Sequence, residues 1–184
     1  MKNRPLSLIL IFCIVAGCGY TTRSMIATTY RTIYITPFLN KIDITRETDA
    51  GSRYKIYRPG LETDITKAVV NKYLFDGNLR PTKEELADVV LKGELVEFRK
   101  DPLRYNDDND EIAEYRMNIL VNIALWDTKE DKLVWEEKNF TGDYTYFTTA
   151  STTPSATKKT DAQAVPEAIN DLARRIVERT VEQW

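Results

Sequence analysis

From residue 113 to residue 125 the chain alternates apolar and polar side chains, and this run constrains the possible folds more than any other segment. Ala113, Tyr115, Met117, Ile119, Val121, Ile123 and Leu125 share one parity; Glu114, Arg116, Asn118 and Asn122 fall on the other, with Leu120 and Ala124 between them. A period of two belongs to a β-strand, and thirteen residues at ~3.3 Å each give a strand of roughly 43 Å with one dry and one wet side. A strand so long and one-sided needs neighbours in a sheet and a second layer over its apolar side. On this pattern Ile119 and Val121 point into the core, and Asn118 and Asn122 face solvent. The polar stretch 127–132 reads as a turn, and 133–146 as an antiparallel return. Leu133 and Trp135 have one parity there, and Phe140, Tyr144 and Tyr146 the other. A β-bulge near Glu137-Lys138 reconciles them.

The rest of the chain supplies the partners. Residues 32–36 alternate and are β-branched, a first strand closed by Pro37. Residues 40–59 are polar and irregular, a long loop. Leu61, Ile65, Ala68, Val69 and Tyr73 have helical spacing, and Asp76-Gly77-Asn78 ends that helix. Residues 86–98 form a second strand, with Val89, Leu91 and Leu95 on one face and Gly93 between them. The Thr/Ser/Ala-rich stretch 148–160 reads as a mobile loop. A helix starting near Pro166 carries Ile169, Leu172, Ala173, Ile176, Thr180, Val181 and Trp184 on one stripe, opposite Asp171, Arg174, Arg175, Glu178 and Glu182. The expected order is β-α-β-β-β-α. The first β-α-β pairs its strands in parallel and the later strands form a meander. The fold class is therefore α/β of the α+β type: a two-layer sandwich with two helices packed on one face of a four-stranded mixed sheet.

The amino terminus follows different rules. Lys2 and Arg4 precede an apolar run, residues 6–16, interrupted only by Ser7, and Gly17 and Cys18 follow. A membrane span needs ~20 apolar residues, so the run reads as a signal peptide. Its Val15-Ala16-Gly17-Cys18 ending resembles the bacterial lipobox, in which the cysteine thiol is acylated and becomes the first mature residue. The expected organisation is a removed signal peptide over 1–17, a lipidated tether over 18–31, and a single α/β sandwich domain over 32–184.

Composition narrows the chemistry. The chain has no histidine, which removes the Ser-His and Cys-His nucleophile systems and the commonest transition-metal ligand. Its two cysteines are Cys13, in the removed segment, and Cys18. No disulfide framework and no free thiol are expected in the mature protein. Glu136 and Glu137 are adjacent on a strand, so their carboxylates point to opposite faces. The acidic run 106–111 lacks the Gly and Glu positions of an EF-hand. Neither an enzyme, a cofactor nor a metal site is expected. The whole chain carries 26 basic and 28 acidic residues; without Lys2 and Arg4 the balance is −4, which speaks against a nucleic-acid partner.

Three stretches carry a family resemblance. Cys18-Gly19-Tyr20 followed by Arg23 is similar to a Cys-Gly-aromatic mature start. Residues 61–77 resemble a first helix with an Asn-Gly-like end. Ala113-Glu114-Tyr115-Arg116-Met117 with Val121-Asn122 resembles an Ala-Glu-Tyr-x-Met run followed by Val-Asn at the start of a third strand. With the matching element order, residues 16–184 resemble the lipopolysaccharide-assembly lipoprotein family, LptE. The resemblance implies an acyl (palmitate) anchor on Cys18 in the periplasmic leaflet of the outer membrane. It implies a domain that plugs an LptD-type β-barrel, helps that barrel assemble, and assists lipopolysaccharide delivery to the cell surface. Gly19 fits, since Asp there is the usual signal for retention in the inner membrane.

The resemblance also implies cationic contacts to lipopolysaccharide, near the turn between strands two and three and before the last helix. The corresponding residues here are Arg104, with Arg99 and Lys100 as neighbours, and Lys158 and Lys159. Asp107, Asp108, Asp110 and Glu111 beside Arg104 depart from the family pattern and would repel phosphate. Two other functions compete: a periplasm-facing regulatory lipoprotein, such as an activator of cell-wall synthases, and a lipid-carrier lipoprotein. The first expects a tether of tens of residues, whereas about twelve separate Cys18 from the first strand. The second expects more large apolar residues than two helices and four strands bury.

Overall fold

A computed structural model describes residues 29–43, 58–106 and 110–181. Cys18, the loop residues 44–57, Asp107, Asp108 and Trp184 lie outside the described residues.

The chain forms β1 (Thr32–Ile35), β2 (Leu39–Asn40), α1 (Leu61–Asp76), β3 (Arg80–Pro81), a 3-10 turn (Glu84–Leu86), β4 (Val89–Tyr105), β5 (Ile112–Asp127), β6 (Lys132–Phe147) and α2 (Asp161–Val181). The strands make one mixed sheet in the order β3-β1-β4-β5-β6, with β2 pairing β4 beyond the end of β1. β1 runs parallel to both β3 and β4, and β4, β5 and β6 are antiparallel. The sheet has six strands rather than the expected four. The two added strands have two residues each, too short for any alternation to announce them.

Ile65, Val69 and Tyr73 of α1 and Ile169, Leu172 and Ile176 of α2 share one apolar cluster with Leu91, Leu95, Met117, Ile119, Val121, Ile123 and Leu125 of the sheet. The two layers are therefore the expected ones, and Ile119 and Val121 are fully buried. Gly77 ends α1 at φ 77°, its N–H donating to the Tyr73 carbonyl, the left-handed glycine stop read from the sequence. Tyr73 is wholly buried and donates its hydroxyl to Thr180 Oγ1 at 2.7 Å, tying the carboxyl ends of the two helices together.

Several boundaries differ from expectation. β4 starts at Val89, because residues 84–86 wind into the 3-10 turn, and it continues to Tyr105 instead of stopping near 98. Pro102 is tolerated inside it because, among the described residues, its second edge is unpaired beyond Leu95. α2 begins at Asp161, not near Pro166, which lies inside the helix. Gln163 Oε1 accepts the Thr160 backbone N–H at 3.0 Å, so Thr160-x-x-Gln163 acts as half of a capping box. The stretch 148–160 is fastened rather than free: Asn106 Nδ2 donates to the Ala150 carbonyl at 2.7 Å, and Ser151 is buried.

The expected bulge in β6 is present. Val121 pairs Phe140 and Ile123 pairs Glu137, leaving Lys138 and Asn139 opposite Asn122. Asn139 takes φ 55° there, and its N–H donates to Asn122 Oδ1 at 3.0 Å. A second shift, at Val134, pairs Leu133 with Trp126 and turns Leu133 to the outer face. Asn118 also departs from expectation. It lies on the outer face but is buried, donating to Asp101 Oδ2 at 2.6 Å, because long charged side chains lie over that face.

The start of the domain is clamped. Asp88 accepts from Arg31 N at 2.9 Å, Thr32 N at 3.1 Å, Thr32 Oγ1 at 3.0 Å and Lys129 Nζ at 2.7 Å. The Lys129 ammonium and then the Arg31 N–H hold its carboxyl well below the usual carboxylate range. A carboxylate depressed by folding contributes stability in full above its unfolded pKa of about 3.9 and loses it as pH falls toward the folded value. Asp88→Asn is expected to lower the thermal midpoint at neutral pH and to flatten its decline between about pH 4 and 2. Circular-dichroism melts across that window check this; parallel slopes for the two proteins would contradict it.

Candidate functional site at one pole of the sheet

The carboxyl end of β4, the amino end of β5, the carboxyl end of β6 and the loop before α2 meet at one pole. Phe147 is the meeting point. It pairs with Glu114, which pairs in turn with Arg104, so the three side chains share a row on the outer face. The Arg104 guanidinium stands 5.8 Å from the Phe147 ring centre, with Nε 3.5 Å from Glu114. Lys158 forms a parallel bridge with Phe147, and its ammonium donates to the Thr149 carbonyl at 3.4 Å. Arg104 and Lys158, distant in sequence, therefore flank one aromatic ring. Leu103 and Tyr105, 43% and 50% exposed, extend the apolar part of this tip. Phe147 did not emerge as a site residue from the sequence, although the parity of β6 beyond its bulge sets it opposite Tyr144 and Tyr146.

Lys159 is separated from that pair. Its ammonium donates to Glu167 Oε1 at 2.8 Å and to the Tyr144 hydroxyl at 2.7 Å on the core-facing side. The Glu167 carboxylate, and then the Tyr144 hydroxyl, raise its pKa. Successive residues of an extended chain point to opposite sides, so Lys158 and Lys159 diverge. Lys100 is also engaged: it lies 2.7 Å from Asp161 Oδ2 and 4.0 Å from the Tyr115 ring centre. Tyr146 donates to the other oxygen of Asp161, and burial followed by that bond pushes its phenol well above the ordinary value. Burial alone would raise Asp161, but the Lys100 and Tyr146 hydrogen bonds prevail and hold it below the usual carboxylate range. These groups lock the first turn of α2 onto the sheet. Among the described residues, no cluster of three or more acidic groups is set to hold a metal ion.

The seam between β6 and α2 continues in the same manner. Arg175 pairs with Asp143 at 2.8 Å and with Asp171 at 2.7 Å, and Arg179 with Glu137 at 2.8 Å. Asp171 Oδ2 accepts the Asp143 backbone N–H, and Arg175 donates to the Thr141 carbonyl. The helix thereby satisfies the outward backbone groups of the edge strand at 141–143, which blocks strand addition there.

The fold and the pole define a class of protein: a two-layer α+β domain with a cationic, aromatic tip at one end of its sheet. The family model of lipopolysaccharide assembly, LptE, matches residues 30–180, and the chain belongs to that family, a non-enzymatic one. No curated protein matches the chain in sequence. Similar solved structures include the PelC dodecamer from Paraburkholderia phytofirmans, at 12% identity over 84% of this chain and 90% of that one, with a TM-score of 0.45. Others are protein XCC0632 from Xanthomonas campestris, at 13% identity over 83% and 87% with a TM-score of 0.48, and the minor lipoprotein from Acinetobacter baumannii, at 13% over 83% and 91% with a TM-score of 0.45.

Proposed function

We propose that this protein is an outer-membrane lipoprotein, acylated on Cys18, whose domain plugs an LptD-type β-barrel, helps it assemble, and assists lipopolysaccharide delivery. The observation that carries this reading is the family match across residues 30–180. The shape supports it. A domain built on strands of sixteen and seventeen residues, with Lys92, Glu94, Glu97, Arg99, Asn118 and Asn122 along the outer face of its sheet, suits a water-lined lumen.

Lipopolysaccharide contact belongs at the Phe147 pole, where Arg104 and Lys158 offer cations to phosphate beside exposed apolar and aromatic side chains. Charged hydrogen bonds contribute ~1.5–3 kcal/mol each. Arg104→Glu with Lys158→Glu is expected to weaken lipopolysaccharide binding at least tenfold, and Lys159→Glu to act mainly through the stability of the β6–α2 packing. Purification of the detergent-solubilised lipoprotein tests both roles, reading the β-barrel carried with it and the lipid bound. Absence of a large β-barrel would overturn the plug role; unchanged lipid binding in the folded double variant would move the lipid site elsewhere.

A further inference from the structure

A groove of about 500 Å³ lies between α1 and α2, lined by residues of the two helices and by Arg58, with none from the sheet. Its size falls within the ~300–1,000 Å³ of ordinary ligand sites. The walls follow helical spacing: Ala68, Lys72 and Phe75 recur on one stripe of α1, and Ile169 and Ala173 stand one turn apart on α2. Ile169 and Ala173 are buried and Ala68 is half-buried, so these three form an apolar floor. Two of them are alanines, whose single methyl groups leave the space between the helices open. Phe75 stands at the rim, 89% exposed.

The polar part of that rim is largely unsatisfied. Arg58 lies 3.9 Å from Asp64. The side chains of Lys67, Asn71, Lys72 and Asn170, by contrast, have no hydrogen-bond or ion-pair partner among the described residues. Elsewhere on α2 the cations are neutralised, with Arg174, Arg175 and Arg179 each within 2.8 Å of a carboxylate. In the groove Arg58, Lys67 and Lys72 face only Asp64, a local balance of +2 in a chain whose overall balance is −2.

These groups select an occupant. The positive balance calls for an acidic one, but lysine attracts phosphate as readily as carboxylate, so the amides decide. A carboxamide offers N–H donors and a carbonyl acceptor on one side chain. An extended polypeptide presents both kinds of group along its backbone. An acyl chain presents neither, and a phosphate only accepts. One carboxamide from each helix, above an apolar floor, therefore fits a stretch of peptide better than a lipid.

A domain that fills a barrel turns its helix layer, as well as the outer face of its sheet, toward the barrel wall. Resting on the barrel-plug reading, we infer that the groove between α1 and α2 seats an acidic, extended segment of the surrounding barrel protein. Lys67 and Lys72 take its carboxylates, Asn71 and Asn170 its backbone, and Phe75 packs on an apolar side chain of the same segment. Charge complementarity of this kind fixes which segment docks and in which register.

The test is photo-crosslinking of the full-length protein in living cells. p-Benzoylphenylalanine replaces Phe75, Asn170 and, on the outer face of the sheet, Lys92, one at a time, and the crosslinked peptides are sequenced by mass spectrometry. Positions 75 and 170 are expected to capture a net-negative segment of a large β-barrel protein. Lys67→Glu with Lys72→Glu should lower both yields roughly tenfold and change the yield at 92 by less than about twofold. Neither lysine has a described partner to lose, so the parent's circular-dichroism melt should be kept. If 92 captures the barrel while 75 and 170 do not, the groove is wrong and the plug stands. Capture of lipopolysaccharide, of a second copy, of another part of this chain or of a segment without net negative charge also overturns the groove's occupant, as do unchanged yields in the folded double variant. Failure of all three positions to reach a barrel overturns the plug reading and the groove together.

Discussion

Cys18→Ala is expected to leave the precursor at full length and to abolish acylation, so that membrane retention through the lipid is lost. Each buried CH₂ is worth ~0.8 kcal/mol, and one acyl chain gives only marginal binding whereas two or more hold firmly. The effect on acylation is close to all-or-none, because Cys18 is the one cysteine at the end of the lipobox-like Val15-Ala16-Gly17-Cys18. Mass spectrometry of the membrane and soluble fractions reads it directly. A variant that is cut to mature size and fully retained without lipid would end the lipoprotein reading.

The second large effect lies where α2 crosses β6. Gly142 pairs with Ile119 on the core-facing side, and Leu172 sits directly above it. A Cβ on Gly142 would come within 2.3 Å of Leu172 Cβ and 2.5 Å of Leu172 Cα. The obstacle includes backbone, so the helix as a whole must retreat. Overpacking of this kind costs ~1–3 kcal/mol and more where main chain has to shift. Retreat would also stretch the Arg175–Asp143 and Arg179–Glu137 pairs. Gly142→Val is therefore expected to cost ~3 kcal/mol or more in urea unfolding, comparable with the ~2–5 kcal/mol of Ile119→Ala beneath it. A Gly142→Val domain within about 0.5 kcal/mol of the parent would show that the helix does not rest on that glycine.

The comparison of sequence with structure follows the length over which a pattern repeats. β5 is legible because thirteen alternating residues leave only one face to bury, and the bulge in β6 because Leu133 and Trp135 have the opposite parity to Phe140, Tyr144 and Tyr146. The shift at Val134 was not legible, since a single residue, Leu133, is too little to reveal a change of face. β2 and β3 left no trace for the same reason. At α2, proline is a start signal in the sequence, yet Thr160 and Gln163 satisfy the first turn upstream and Pro166 is carried inside the helix. Asn118 looked solvated because parity says which side a residue takes, and nothing about whether Asp101 closes over it.

The candidate site was legible residue by residue but not as an arrangement. The sequence sets Arg104 only near the turn between two strands, whereas it continues a strand, and only that continuation sets it in one row with Glu114 and Phe147. Lys158 and Lys159 read as one cluster, and the extended backbone sends them to opposite sides. Phe147 brings Arg104 and Lys158 together through pairings of residues far apart in the chain, a relation that a linear motif does not contain.

The clamp on Thr32 has a mechanical consequence. β1 lies between two parallel neighbours, β3 and β4, and the chain leaves it from the end that Asp88 holds. A tug on the amino-terminal segment pulls β1 along its own axis, so the hydrogen bonds on both flanks are loaded in shear and resist together instead of opening one at a time like a zipper. A load entering through the amino-terminal segment would thus be shared by β1 and both of its neighbours at once, and not be taken up by the peeling of a single edge.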